Sequence, residues 1–176
     1  MKDASPNTIY LDDYAPFPFR IKNVHLTFQL DPRKTRVISL VEFEPIASPM
    51  QNTLFLHGED LSLLWAKIDG EVVSPQIKNG GLSVQVPGRD FVWECEVEIA
   101  PQRNTALEGL YMSNGMYCTQ CEAEGFRKIT YYPDRPDVMA RFYVRVEGDL
   151  PIRSFICFFA ILPIILAKVL TINGYG

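Results

Sequence analysis

Apolar and polar residues alternate along much of this chain with the period of a β-strand. In residues 24–30 every second position is apolar and the positions between them are polar. Such a period predicts a strand that buries one face. Residues 37–43 form a second strand candidate, in which both faces are partly apolar, and Pro32, within residues 31–34, presets a turn dihedral between the two. The pattern therefore predicts a β-hairpin.

Further strand candidates follow, each bounded by turn-forming residues such as Asp69-Gly70. An Asp-Gly pair between apolar stretches indicates a hairpin, because both residues tolerate a positive φ. The predicted strands are residues 53–56, 63–68, 82–86, 91–99 and 141–147.

Residues 91–99 show the most regular alternation. The inward face is predicted to consist of Phe91, Trp93, Cys95, Val97 and Ile99. The opposite face is predicted to be solvated and carries Glu94, Glu96 and Glu98. A cation site built from these glutamates is the less favoured interpretation. With no capped helical periodicity and no internal repeat, the sequence predicts an all-β fold, a β-sandwich or related twisted two-sheet domain.

The chain divides into three predicted parts. Residues 1–18 are polar and proline-rich and are expected to form an extended arm, and residues 19–149 form the β-domain. Residues 150–176 form an apolar tail, in which residues 155–167 carry no charge. This stretch is shorter than the roughly 20 residues that span a bilayer. A buried strand pair or an unprotected apolar tail is expected instead.

Charge and cysteine content exclude several classes of protein. The net charge is −4 without a block of like charges, so no nucleic-acid or anionic membrane partner is expected. No apolar leader opens the chain, and four cysteines are too few for a secreted disulfide framework. A cytoplasmic protein is therefore expected.

The motifs of common catalytic sites are missing from the sequence. Its two histidines have no nearby ligands at metal-binding spacing, and the C-x-x-C of residues 118–121 lacks a second ligand pair. No nucleophile elbow or phosphate-binding glycine cluster occurs. The residues alone indicate a β-domain without catalysis.

Residues 103–142 break the alternation and mix charged groups with aromatic ones. A non-periodic loop of this kind either builds a hydrogen-bonded network or presents groups to a ligand or another domain. The network would consist of buried ion pairs, for example of Arg127 or Arg135 with Asp134 or Asp137. The sequence pattern leaves both interpretations open.

The segments NTALEGLY, CTQCEAEGFR, ITYY-DRPDV and ARF lie in this region, and LTFQLDP-KT and LHGEDLSL precede it. In order and spacing they resemble the aminopeptidase N family of zinc metallopeptidases, in its bacterial alanyl-aminopeptidase branch. The resemblance extends over residues 10–149. It implies an N-terminal β-domain of an enzyme that removes N-terminal residues from peptides.

The family's zinc is held by a following domain with the motif H-E-x-x-H, which this sequence lacks. The resemblance therefore implies zinc in an intact family member, and a chain that alone binds no zinc and is inactive. It also implies that Gln120 and Glu122 line the subsite for the peptide's first residue, with Glu122 pairing with the α-ammonium group.

After residue 149 the resemblance stops. A truncated or frame-shifted reading would explain the tail, and so would apolar strands that substitute for the family's own. An alternative to the enzyme fragment is a free-standing β-sandwich module that grips a peptide or protein with its aromatic-rich loop.

Overall fold

The computed structural model describes residues 14–46 and 52–148, together with the backbone of two short strands near the end of the chain. Strands dominate, and the described helical elements are short 3₁₀ turns, including Pro101–Arg103 and Phe126–Lys128. The all-β prediction is confirmed. The strands are β1 Phe19–Gln29, β2 Thr35–Pro45, β3 Thr53–His57, β4 Ser62–Ile68, β5 Glu71–Val72, β6 Gln76–Lys78, β7 Gly81–Gln85, β8 Phe91–Ile99, β9 Gly109–Ser113, β10 Met116–Gln120, β11 Arg141–Glu147, β12 Cys157–Phe159 and β13 Lys168–Leu170.

These strands form one large sheet and two small ones. The seven-stranded sheet has the order β13-β11-β1-β2-β8-β4-β5, and β11 runs parallel to both of its neighbours. One small sheet has the order β3-β7-β6 and the other β12-β10-β9. A β-bridge between His57 and Tyr132 ties β3 to the segment that follows the second 3₁₀ turn.

The predicted first hairpin is present as β1 and β2. Val37 lies opposite Phe28, and both are buried. The Asp31 carboxylate accepts hydrogen bonds from the backbone N–H groups of Arg33 and Lys34 at 2.7 and 2.9 Å. An aspartate that bonds the backbone two residues on stabilises a turn in this way.

The core lies against the inner face of the large sheet. All five inward residues predicted for β8 are buried, and Trp93, Cys95 and Val97 are fully inaccessible. The regular alternation of residues 91–99 therefore predicted their burial correctly.

The outer face of β8 differs from its prediction at Glu96, which is 9% exposed. Its carboxylate accepts hydrogen bonds from the Trp65 indole on β4 and from the Arg36 guanidinium on β2, the latter at 3.2 Å. Assigning Glu96 to a solvated face was wrong, because side chains of the two neighbouring strands cover it. A period-2 pattern within one strand carries no information about such neighbours.

Parts of the predicted arm and tail are also described. Residues 14–17 lead into β1, whereas residues 1–13 lie outside the described range. In the tail, β12 pairs in parallel with β10 and β13 with β11, and the other tail residues lie outside it. Within the described residues no helix is long and apolar enough to cross a membrane.

Candidate functional site

The segment predicted to be a non-periodic loop contains a second hairpin. Strands β9 and β10 are antiparallel, and Asn114 and Gly115 at their turn have φ of 50° and 78°. The prediction of an irregular loop was wrong for residues 109–120. An Asn-Gly pair is a strong short-range hairpin signal, and it could have revealed this turn.

Gln120 and Glu122, the predicted substrate-binding residues, lie together where β10 ends. Gln120 is the last residue of the strand and lies opposite Gly109 of β9. Its side-chain amide donates a hydrogen bond to the Glu122 carbonyl at 3.3 Å. The Glu122–Ala123 peptide bond is cis.

The Glu122 side chain is exposed. None of the hydrogen bonds and ion pairs found among the described residues involves its carboxylate. Arg127, which was considered as a partner for Glu122 within a buried network, instead contacts Glu124 and Asp134. Within the part of the chain that the structure describes, the Glu122 carboxylate thus has no cationic partner.

A buried ion pair stabilises the segment that follows Glu122. The Arg127 guanidinium donates to an Asp134 carboxylate oxygen at 2.9 Å and to the Asp134 carbonyl at 3.1 Å. Asp134 is 6% exposed. Its backbone N–H donates to Nδ1 of His57 at 3.2 Å. Burial, together with the charge of Arg127, lowers the pKa of His57 and so favours the neutral imidazole that can accept this bond.

The second predicted pair, Arg135 with Asp137, holds the end of the arm. Two guanidinium nitrogens of Arg135 lie 2.8 Å from the two carboxylate oxygens of Asp137. The Tyr14 hydroxyl and the Phe17 backbone N–H also donate to that carboxylate, at 3.1 and 3.2 Å. The bonds from Arg135 are the largest cause of the lowered pKa of Asp137, about 2. Each arginine thus pairs with its own aspartate, but only the pair of Arg127 and Asp134 is buried as predicted, since the side chains of Arg135 and Asp137 are 31% and 22% exposed.

A buried polar cluster joins this segment to the large sheet. The Thr130 hydroxyl donates to the Ser39 hydroxyl on β2 at 3.2 Å, and Cys95 Sγ on β8 lies 3.2 Å from that same oxygen. Ser39, Cys95 and Thr130 are fully buried. Satisfied buried polar groups of this kind fix the position of the segments that carry them.

The cysteines of the C-x-x-C motif do not form a metal site with other described residues. No group of three or more His, Cys, Asp or Glu side chains that could hold a metal occurs within the part of the chain that the structure describes. Burial raises the pKa of the Cys121 thiol to about 12, with a further contribution from Asp134. The Cys121 thiol is therefore protonated at neutral pH, which makes it a poor ligand and a poor nucleophile.

Comparison with known proteins assigns this chain to a family. Residues 21–155 match the Peptidase M1 N-terminal domain. The chain belongs to this family. It is 44% identical over 152 residues to aminopeptidase N of Caulobacter vibrioides and 42% identical over 145 residues to aminopeptidase N of Escherichia coli. These matches cover 85% and 82% of this M1 N-terminal domain chain, but 18% and 17% of the relatives.

Solved structures agree with the family assignment. Aminopeptidase A of Legionella pneumophila, in complex with aspartic acid, superposes with a TM-score of 0.70 at 25% identity, covering 76% of this chain and 16% of that one. An M1 zinc metallopeptidase of Deinococcus radiodurans bound to a Tyr-Ser-Ala substrate has a TM-score of 0.63 at 16% identity, which shows the shared fold. It covers 73% of this chain and 32% of that one.

Proposed function

We propose that this M1 N-terminal domain is the substrate-gating part of a zinc metalloaminopeptidase that removes N-terminal residues from peptides. In this proposal Glu122 pairs with the free α-ammonium group, and Gln120 contacts the backbone or side chain of the first residue. The observation that carries the proposal is the exposed Glu122 carboxylate, which has no hydrogen-bond or ion-pair partner among the described residues, close to the Gln120 amide at the end of β10.

A carboxylate at this position provides the selectivity that an aminopeptidase needs. A free N-terminus is a cation, whereas an internal amide is neutral. A charge-assisted hydrogen bond to the cation is roughly twice as strong as a neutral one. Gln120 adds a donor and an acceptor that can fix the orientation of the first residue.

We propose that the catalytic chemistry belongs to a further domain, since the zinc-binding motif H-E-x-x-H does not occur in this sequence. In the family, zinc polarises the scissile carbonyl and activates water. The described residues offer no set of three zinc ligands, so we propose that the isolated chain neither hydrolyses peptides nor holds stoichiometric zinc. A peptide N-terminus is its proposed binding partner, and neither nucleic acid nor membrane is.

We also propose a cytoplasmic location. The three cysteines whose side chains are described, Cys95, Cys118 and Cys121, are free thiols. Free thiols persist in a reducing compartment. Recovery of the native protein in the soluble cytoplasmic fraction supports this proposal, and recovery outside the cytoplasm contradicts it.

The proposed binding role is tested in a graft enzyme, in which residues 19–149 replace the matching segment of the Caulobacter aminopeptidase N. Glu122→Gln keeps the shape and hydrogen-bonding capacity of the side chain but removes its charge. We expect kcat/KM for an alanyl substrate to fall on the order of tenfold, because a charge-assisted bond is replaced by a neutral one. Zinc content should not change.

Glu71→Gln is the matched control, since Glu71 is exposed on the short strand β5 at the edge of the large sheet. It should change kcat/KM little. Glu96 is unsuitable as a control because it is buried and hydrogen-bonded. If Glu122→Gln keeps full kcat/KM while the melting temperature falls, Glu122 serves the scaffold and the proposed binding role is rejected.

A further inference from the structure

The turn that carries Glu122 packs backbone to backbone against a glycine. The Gly125 N–H donates to the Cys121 carbonyl at 3.1 Å and closes the turn. A Cβ atom added to Gly125 would lie 2.5 Å from the Gln120 carbonyl oxygen and 2.8 Å from the Cys121 Cα. Both are backbone atoms, so neither can swing aside as a side chain would.

Glycine is required at this position because there is no space for a side chain, and not because of the backbone conformation. Gly125 has φ of −111° and ψ of −14°, which other residues adopt without difficulty. A side chain here is excluded only because the backbone of residues 120 and 121 occupies its place. The two residues that precede Glu122 therefore rest directly on Gly125.

A second glycine packs closely against Gly125. Gly109, the partner of Gln120 in the β9–β10 pair, has φ of +69°. A Cβ there would lie 2.7 Å from the Lys128 Cβ and 3.2 Å from the Gly125 carbonyl oxygen. The Lys128 ammonium is bound by Asp60 at 2.9 Å and by Glu59 at 3.3 Å. The 3₁₀ turn that contains Lys128 is thus tied to the loop after β3 and offers little room for adjustment.

We infer that Gly125 is a positioning residue for substrate binding: its missing side chain sets the position from which Glu122 binds the peptide N-terminus. This inference rests on the proposed function. Real Cβ contacts are essentially never shorter than 3.0 Å, so a methyl group at Gly125 and the Gln120 carbonyl oxygen must move apart by about 0.5 Å or more. Binding groups must hold their geometry within roughly 0.5 Å, so a displacement of this size weakens the contact with the substrate.

Gly125→Ala in the graft enzyme tests the inference. We expect kcat/KM for an alanyl substrate to fall about tenfold per folded molecule, with zinc content unchanged, because a misplacement near 1 Å can cost up to about a hundredfold. Gly115→Ala is the matched control at the other end of the same hairpin. A Cβ there meets no atom within 4 Å, although φ of +78° makes the substitution strained. This control should lower stability and leave kcat/KM per folded molecule unchanged.

A double variant separates positioning from a general structural effect. If Gly125 acts through Glu122, then Gly125→Ala should lower kcat/KM by less than about threefold in the Glu122→Gln background, because coupled residues are non-additive. An equal loss in both backgrounds would overturn the inference and leave Gly125 with a structural role only.

The remaining outcomes distinguish the inference from the proposed function. If Glu122→Gln lowers kcat/KM but Gly125→Ala does not, the inference fails and the proposed function stands. If Glu122→Gln has no effect, the proposed function fails and the inference fails with it.

If Gly125→Ala does not fold, Gly109→Ala replaces it, since its Cβ would lie 3.2 Å from the Gly125 carbonyl oxygen and 2.7 Å from the Lys128 Cβ, with φ of +69° adding strain. A smaller loss of kcat/KM that again disappears with Glu122→Gln supports the inference. Unchanged kcat/KM in folded Gly109→Ala overturns it.

Discussion

The substitution Asp134→Asn perturbs the buried ion pair that supports the candidate site. The Asp134 carboxylate, 5% exposed as a side chain, accepts bonds from the Arg127 guanidinium at 2.9 Å and from the Arg127 backbone N–H at 3.2 Å. Asparagine keeps the shape but removes the charge. Arg127, whose side chain is 15% exposed, then loses its buried counter-ion.

The expected loss of unfolding free energy follows from the exposed fractions of these side chains. Removing one partner of a buried pair costs about 3–5 kcal/mol, because the other charge stays buried. Glu124 remains 3.3 Å from Arg127 but is 65% exposed, so it compensates by no more than about 1 kcal/mol. We therefore expect the free energy of unfolding to fall by about 3 kcal/mol, near the lower end of the range. For a chain of this size that corresponds to a fall in Tm of about 6–12 °C.

Thermal unfolding of the 176-residue chain, followed by circular dichroism, measures this change. The control is Glu147→Gln, because its partner Arg145 is 54% exposed and such pairs contribute little. It should lower Tm by less than about 2 °C, the equivalent of about 0.5 kcal/mol. Equal shifts for the two variants would refute the assignment of Arg127 and Asp134 as a stabilising buried pair.

Three further predictions concern other groups. Glu96→Ala leaves the Trp65 indole N–H without its partner and should lower the unfolding free energy by about 1–3 kcal/mol in urea titration; a change below about 0.5 kcal/mol would show a solvated glutamate instead. The folded-state pKa of Asp137 is about 2, below the ordinary 3.8, so its carboxylate stabilises the fold above about pH 4 and loses this effect as the pH falls toward 2. The difference in unfolding free energy between wild type and Asp137→Asn should shrink over that interval; a difference independent of pH would contradict the lowered pKa. Finally, the raised pKa of Cys121 predicts slow alkylation by iodoacetamide at pH 8, measured by mass spectrometry of the native chain, and labelling as fast as that of an unfolded peptide would disprove its protection.

Local sequence patterns predicted those parts of the fold in which a single strand determines burial. Residues 91–99 alternate regularly, and the structure buries all five residues of the predicted inward face. The burial of Glu96 could not be predicted from this alternation. It depends on Trp65, which the pairing of β4 with β8 brings beside it from 31 positions away in the sequence.

The candidate site was predicted in part. The sequence pattern identified Arg127, Arg135, Asp134 and Asp137 as network residues, but four pairings were open, and the backbone path after the 3₁₀ turn decides between them. Gln120 and Glu122 came from the family resemblance, and the structure places them side by side. The steric role of Gly125 was not predictable, because the atoms that exclude its side chain meet it only when the turn is folded.

In the proposed function, the charge of Glu122 recognises a free α-ammonium group. This recognition is tested most directly by two zinc-binding inhibitors that differ only in that amine, L-alanine hydroxamate and propionohydroxamate, measured on the graft enzyme and on its Glu122→Gln variant. We predict that the variant loses preference for the amine-bearing inhibitor on the order of tenfold, while the inhibition constant of propionohydroxamate changes by less than about twofold. An unchanged preference in the variant would contradict the claim.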